Sequence, residues 1–181
     1  FVKLATADSI KIGELVYHNP VFMVAPPDNE VDSVFAFDGV LGYHFIRDAK
    51  EIIIDNEAGQ FVFPHKPSDG ESNMYLSSNT PQVRISYNGQ PFDLIFDTGN
   101  VKSDLGNKFT KTFPDAIDGL AEKITSRGGF GGISQTKVVV LPEFHFEVAG
   151  STVTLHDTEV IKNTESSSQL FSGSLGADFV L

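Results

Sequence analysis

A tripeptide with catalytic potential, Asp97-Thr98-Gly99, ends the apolar run at residues 94–96. An apolar run of this kind predicts a buried β-strand, and Gly99 permits a sharp turn directly after it. The pattern places the Asp97 carboxylate at the tip of a rigid element, where a general acid or base is best held. Thr98 adds a hydroxyl that can hydrogen-bond across a symmetric interface. The alternative is that Asp97 is a structural aspartate of the turn.

A glycine-rich segment is the second candidate for function. It comprises Gly128, Gly129, Phe130, Gly131 and Gly132. Such a segment can cradle a phosphate at a helix N-terminus, but this one lacks the Lys-Ser/Thr ending of a P-loop and precedes a predicted strand. The favoured hypothesis is a mobile hairpin, or flap, that covers a substrate. A plain flexible turn remains the alternative.

Other site chemistries have little support in the sequence. The absence of cysteine excludes disulfides, thiol catalysis and cysteine-based metal sites. The five histidines show no ligand spacing, so no metal site and no cofactor are predicted. The sequence contains no G-x-S-x-G motif, so a serine hydrolase is not indicated.

The composition is that of a globular, acidic chain. It has 181 residues, 40% of them apolar, and a formal net charge of −11. That charge repels phosphate backbones and anionic lipid, which argues against nucleic-acid or membrane-surface partners. No apolar run approaches the roughly 18 residues that span a bilayer, so no membrane insertion is expected. The composition is compatible with an exported location, either periplasmic or secreted.

Most segments of the chain have the pattern of β-strands. Residues 82–87 alternate, Asn88-Gly89 favours a type I′ hairpin turn, and residues 92–96 follow. Further strands are predicted at 136–141, 144–148 and 153–155. Pro114 at a first helical position and an apolar stripe after it predict a helix at 114–125. The expected fold class is mostly β, with one or two short helices.

An internal repeat organises the chain. Residues 37–46 and 171–180 share the pattern F-x-G-x-L-G-x-x-F-[IV], which indicates two related lobes. The first copy contains only its second half, at residues 1–66. Residues 67–73 form a predicted linker, and residues 74–181 form the second lobe with the D-T-G motif. The sequence therefore looks clipped at both ends relative to its own repeat.

These motifs together resemble the pepsin-like and retroviral-type aspartic peptidase superfamily. The D-T-G after an apolar strand, the glycine-rich segment and Gly173-Ser174-Leu175-Gly176 come in that family's order. The resemblance implies closed β-barrel lobes of the acid-protease type, here one nearly complete lobe and half of a related one. It implies an aspartic endopeptidase in which two aspartates, one from each lobe or subunit, share a proton and activate water. Asp97, Thr98 and Gly99 would be the catalytic triplet, and residues 128–132 the substrate-binding flap.

The chain also departs from that family. Asn100 stands where the family usually has Ala or Ser, and it can add a hydrogen bond next to the dyad. No second D-[ST]-G is present, so the second aspartate must come from a lobe upstream of Phe1 or from a homodimer mate. The truncated first copy favours the upstream lobe. The alternative hypotheses are a non-catalytic peptide-binding module of the same fold and an unrelated carbohydrate-binding β-sandwich.

Overall fold

The computed structural model describes residues 3–24, 38–77, 79–129, 132–162 and 171–181. As predicted, the fold is mostly β. The strands are β1 Lys3–Thr6, β2 Ser9–Ile12, β3 Leu15–His18, β4 Val21–Val24, β5 Ile53–Asp55, β6 Gln60–Val62, β7 Met74–Ser77, β8 Thr80–Tyr87, β9 Gln90–Phe96, β10 Asp104–Leu105, β11 Lys123–Gly129, β12 Gly132–Val148, β13 Ser151–Ile161 and β14 Gly173–Leu175. The helices are α1 Tyr43–Ala49, α2 Asn107–Thr112, a 3₁₀-helix Pro114–Ile117 and α3 Ala177–Val180.

The chain divides into two compact units. The first contains residues 1–69 with the short stretch 128–133, and the second contains residues 70–127 with 134–181. The division between Asp69 and Gly70 falls inside the segment 67–73 that the sequence predicts as a linker.

The first unit is built from strand pairs and has little core. β1 pairs with β4, β2 with β3 and β5 with β6, all antiparallel. Among the described residues of this unit only Pro20 and Phe45 are buried, and the Phe45 ring of α1 contacts those of Tyr17 and Phe63. Several large apolar side chains of this unit are exposed instead: Leu4, Val21, Met23, Val40, Leu41 and Phe61.

The second unit is organised by an eight-stranded sheet. Its strand order is β11-β12-β13-β10-β14-β9-β8-β7, with an additional pairing of β12 with β8 at Glu147 and Ser86. The predicted hairpin is confirmed, since β8 and β9 pair antiparallel around Asn88 and Gly89. Both turn residues have positive φ, 51° and 74°, which a type I′ turn requires.

Aromatic side chains fill the core of this unit. Phe109 and Phe144 are almost fully buried, with ring centroids 5.7 Å apart in an edge-to-face arrangement. Tyr87 packs on both rings, and Phe92 and Phe113 extend the cluster. Aromatic pairs at these separations contribute about 0.5–1.5 kcal/mol beyond their buried area. The core therefore holds β8, β9, β12 and α2 in fixed positions.

The helix prediction at 114–125 is wrong beyond its first turn. The 3₁₀-helix ends at Ile117, and β11 begins at Lys123. Gly119 has φ +70°, a left-handed conformation that cannot continue a right-handed helix. Ile117 and Leu120 still pack against the core, but they do so from a turn.

The number of helices is also larger than the one or two predicted. The described residues contain three short α-helices and the 3₁₀-helix. α2 was missed because the six residues Asn107–Thr112 give too short a window for a helical stripe to be recognised. α1 and α3 follow Gly42 and Gly176, the equivalent glycines of the two repeat copies.

Candidate functional site

The D-T-G turn lies at the end of β9, between two partner strands. β9 pairs antiparallel with β8 and parallel with β14, where Ile95 lies opposite Ser174 and Phe96 opposite Leu175. Alternate residues Phe92 and Leu94 are buried. Asp97 follows at once and is exposed, as are Thr98 and Gly99. A partly buried central strand thus ends directly before the exposed Asp97.

Three hydrogen bonds fix the turn itself. The Asp97 N–H donates to the Leu175 carbonyl at 3.0 Å, which extends the β9–β14 pairing by one residue. The Asn100 N–H donates to the Asp97 carbonyl at 3.0 Å and closes a β-turn. The Gly99 N–H donates to Asp97 Oδ1 at 3.1 Å. The carboxylate is therefore oriented by the backbone of its own turn.

The second copy of the repeat packs directly beneath this turn. A Cβ on Gly176 would lie 2.6 Å from the Asn100 carbonyl oxygen, so only glycine fits without displacement of the backbone. Gly173 has φ +121°, and a Cβ there would lie 2.3 Å from the Asp104 carbonyl oxygen. Leu175 between them is fully buried. Gly176 is thus explained by close backbone approach to the D-T-G loop, and Gly173 by close backbone approach to β10.

The segment after the turn is held by the start of α3. The Ala177 N–H donates to the Asn100 carbonyl at 2.7 Å, and the Asp178 N–H donates to the Val101 carbonyl at 3.3 Å. Asp178 Oδ1 accepts the N–H and the hydroxyl of Ser103 at 2.8 and 2.6 Å. The Ser103 Oγ in turn accepts the Gly176 N–H at 2.9 Å. This network was missed from sequence, because its partners are separated by more than seventy residues and match no motif.

The first copy of the repeat presents the same glycines to open space. A Cβ on Gly39 or Gly42 would meet no atom within 4 Å. Val40 is 65% exposed and Leu41 47% exposed, whereas Leu175 in the second copy is 0% exposed. The two copies therefore share a sequence pattern and a following helix, but only the second is covered by a D-T-G strand in the part of the chain that the structure describes.

Asn100, the residue directly after the triplet, bonds to β14 through its side chain. Its side-chain Nδ2 donates to Ser174 Oγ at 3.0 Å. Its backbone carbonyl accepts the Ala177 N–H. The Asn100 side chain therefore adds a bond between the D-T-G loop and β14, which an alanine at this position could not make.

The glycine-rich segment falls at the ends of two neighbouring strands. β11 ends at Gly129, β12 begins at Gly132, and the two strands are adjacent in the sheet. Gly128 is the penultimate residue of β11, while Phe130 and Gly131 lie outside the described residues. A strand, not a helix, follows the glycines, so the segment lacks the helix N-terminus of a phosphate cradle.

An ionic cluster lies on β10, β11 and β13 of the same sheet. Arg127 of β11 forms an ion pair with the buried Asp104, and Arg127 Nη2 lies 3.5 Å from Glu159 Oε2. Lys123 contacts the same Glu159 carboxylate at 3.1 Å. Burial raises the pKa of Glu159, but the hydrogen bond and charge of Lys123 and the charge of Arg127 outweigh it and hold that pKa below its ordinary value. Sequence reasoning did not find this cluster, whose members stand in three separate strands.

Two histidines come closer together than their sequence spacing indicates. On β12 and β13, His145 Nε2 lies 3.0 Å from Glu143 Oε2, and His156 Nδ1 lies 4.0 Å from Glu143 Oε1. All three side chains are exposed. Within the described ranges, no three histidine, cysteine or acidic side chains are grouped as metal ligands.

No protein-family model matches this chain, and no curated protein matches it significantly. Among the described helices, none is long and apolar enough to cross a membrane.

Proposed function

We propose that this chain is a large part of an aspartic endopeptidase, in which Asp97 is one of the two carboxylates that activate water. The observation that carries the proposal is the position of the D-T-G turn. It is exposed at the end of a β-strand, its Asp97 N–H donates to the Leu175 carbonyl of the duplicated motif, and the adjoining Asn100 carbonyl packs on Gly176. The repeated pattern that contacts this turn at residues 171–180 also occurs at residues 37–46. If Asp97 were only a structural residue of the turn, this second occurrence would have no explanation.

The topology of the second unit supports a lobe of the acid-protease type. The additional pairing of β8 with β12 connects strands that are distant in the sheet order, so the pairings form a circuit. A circuit of this kind is expected of a closed β-barrel. We assign residues 74–181 to the C-terminal lobe and residues 1–66 to half of an N-terminal lobe.

The chemistry requires a second carboxylate. Two carboxylates about 3 Å apart cannot both ionise, so they share one proton and titrate as a pair. One then accepts a proton from the attacking water while the other donates to the peptide carbonyl. Asp97 supplies one of these groups, and Thr98, exposed beside it, supplies a hydroxyl for the contact with the other half.

The second aspartate comes, in this proposal, from a second D-[ST]-G half. The exposed Val40 and Leu41 and the open glycines of the first copy mark the surface on which that half would pack. A lobe upstream of Phe1 is the favoured source, because the first copy already provides the matching element. A second copy of the chain is the other source. The substrate is a peptide or protein segment, covered by the hairpin that carries Gly128, Gly129 and Gly132.

The test is peptide cleavage by the full-length protein across a range of pH. We expect Asp97→Asn to abolish cleavage, because an amide cannot accept the proton of the attacking water. The matched control is Asp115→Asn, an exposed aspartate of the same unit that lies in the 3₁₀-helix. Equal cleavage by the wild-type protein and Asp97→Asn would refute the proposal.

The binding-module alternative predicts a different result in the same experiment. It expects a peptide to bind near Asp97 with no cleavage at any pH by any of the three proteins. The missing second motif is the observation that favours it.

A further inference from the structure

Arg127 contacts residues on strands that are not adjacent to its own strand in the sheet. It lies on β11 directly before Gly128, whereas its partners lie on β10 and β13. β11 and β10 are separated by two strands in the sheet order. The Arg127 guanidinium therefore reaches from the end of β11, next to the glycine-rich segment, to β10, the strand that follows the D-T-G loop.

The partner of Arg127 is a deeply buried carboxylate. The Asp104 side chain is only 4% exposed, and Arg127 binds its Oδ2. Asp104 also lies opposite Glu159 in the β10–β13 pairing, so two carboxylates are neighbours at this point. Arg127, placed between them, offsets their repulsion. Removing one partner of such a buried pair is costly, because it leaves an uncompensated charge.

The other oxygen of Asp104 continues the network toward the D-T-G turn. Oδ1 accepts the N–H of Ser174 at 2.9 Å and its hydroxyl at 3.0 Å. Because that hydroxyl donates to Asp104, its lone pair is free to accept from Asn100 Nδ2 at 3.0 Å. The Asn100 N–H donates to the Asp97 carbonyl. An unbroken series of polar contacts thus runs from Arg127 through Asp104, Ser174 and Asn100 to Asp97.

We propose that Arg127 and Asp104 are positioning residues that couple the end of β11, next to the glycine-rich segment, to the D-T-G turn. The basis of the proposal is a contiguous network of charged and neutral hydrogen bonds, whose buried members Asp104 and Ser174 support each other at low dielectric. Without Arg127, the Asp104 carboxylate turns away from Glu159 and withdraws Oδ1 from Ser174. Ser174 then loses the acceptor that orients its hydroxyl toward Asn100. The coupling stands by itself, and only its catalytic consequence rests on the proposed function.

The test measures amide hydrogen exchange at Gly99, Asn100 and Ser174 in the full-length protein and in Arg127→Gln. Gly99 and Asn100 report on the turn, since both amides donate to Asp97. We expect exchange at these amides to accelerate by about tenfold, within the range of coupling that such networks carry. The matched control is Lys162→Gln, which removes the exposed ion pair with Glu122 at 3.0 Å outside this network. It should leave the three amides unchanged.

A double-mutant cycle separates coupling from general loosening. Ser174→Ala interrupts the network in its middle while leaving the Arg127–Asp104 pair in place. We expect Arg127→Gln to have little further effect on Asn100 exchange in the Ser174→Ala background. Strictly additive effects, or an equal acceleration at every amide of the second unit, would overturn the proposal. If Arg127→Gln does not fold, Arg127→Lys serves instead, because it keeps the charge but loses the planar fork.

Activity gives a readout with a separate meaning. In a protein that cleaves peptide, Arg127→Gln should lower kcat more than it raises KM, and Arg127→Lys should restore part of kcat. A kcat that Arg127→Gln leaves unchanged would refute the positioning role. Coupled exchange in a protein that never cleaves peptide would support the coupling and refute the proposed function alone.

Discussion

At the scale of single residues, the position of Asp97 depends on what lies beneath it. The turn is fixed by its own hydrogen bonds. The chain directly after it packs closely on Gly176, where a Cβ would collide with the Asn100 carbonyl. At Gly42, the equivalent residue of the first copy, a Cβ would have no atom within 4 Å. Both glycines are the N-cap of a short helix and have negative φ, −90° and −78°. The chain thus contains its own matched pair of sites for testing close packing.

Gly176→Ala should destabilise the second unit, whereas Gly42→Ala should not destabilise the first to a comparable extent. The added methyl group at Gly176 would overlap backbone atoms, and overpacking of that kind costs about 1–3 kcal/mol. Any loss of helix capping is common to the two variants, so their difference reports the close approach. Urea unfolding, followed for the unit that carries each glycine, measures it. Equal costs for the two variants would show that the D-T-G loop does not press on Gly176.

At the scale of elements, the β8–β9 hairpin carries the site, and its outer face is tied by a charged pair. Arg84 and Asp93 lie directly opposite each other, with two hydrogen bonds at 2.8 and 3.2 Å. The Arg84 hydrogen bond, helped by that of Tyr75, lowers the pKa of Asp93 below its ordinary value, although partial burial opposes the shift. The pair therefore stabilises the hairpin only while Asp93 is ionised.

This linkage predicts a loss of stability in acid. A carboxyl whose pKa is lowered in the folded state adds stability above its unfolded pKa of about 3.9 and loses it as pH falls through the folded pKa. Between about pH 5 and pH 2 the wild-type protein should therefore lose more unfolding free energy than Asp93→Asn. Urea unfolding at a series of pH values measures both slopes. An equally steep fall in Asp93→Asn would contradict the assignment.

The elements also show what the sequence can and cannot predict. The β8–β9 hairpin was predictable because Asn88-Gly89 has one strongly preferred turn type and its flanking strands alternate. The position of Asp97 directly after a strand was predictable from the apolar run before it. The helix at 114–125 was not predictable, because the stripe of Ile117 and Leu120 is produced by a 3₁₀ turn and a left-handed glycine. Local periodicity does not distinguish these two ways of burying one face.

The missed residues of the site share one physical cause. Asp104, Arg127 and Asp178 act through partners 23 to 75 residues away along the chain. Each is a charged residue in a short, mixed segment, where a solvated surface position is the ordinary expectation. The burial of Asp104 and the partial burial of Arg127 and Asp178 become evident only when β10, β11 and α3 are brought together.

At the scale of the whole molecule, the two units differ in how well they bury their apolar residues. The second unit holds nearly all of the buried apolar side chains in the described residues, whereas the first exposes Leu4, Met23, Val40 and Phe61. Leu4 and Met23 lie opposite each other in the β1–β4 pairing, and exposed apolar residues grouped in this way often mark an interaction surface. In our proposal the covering surface is the second D-[ST]-G half, which completes both the first lobe and the catalytic pair.

The most direct test of this account is calorimetric titration with a peptide inhibitor whose hydroxyl mimics the tetrahedral transition state. We predict one site in the full-length protein, weakened by at least about 100-fold in Asp97→Asn and unchanged in Asp115→Asn. The isolated chain of residues 1–181 should not bind it without a second D-[ST]-G half. Equal affinity of the inhibitor for the wild-type protein and Asp97→Asn would contradict the claim that Asp97 is half of an active site.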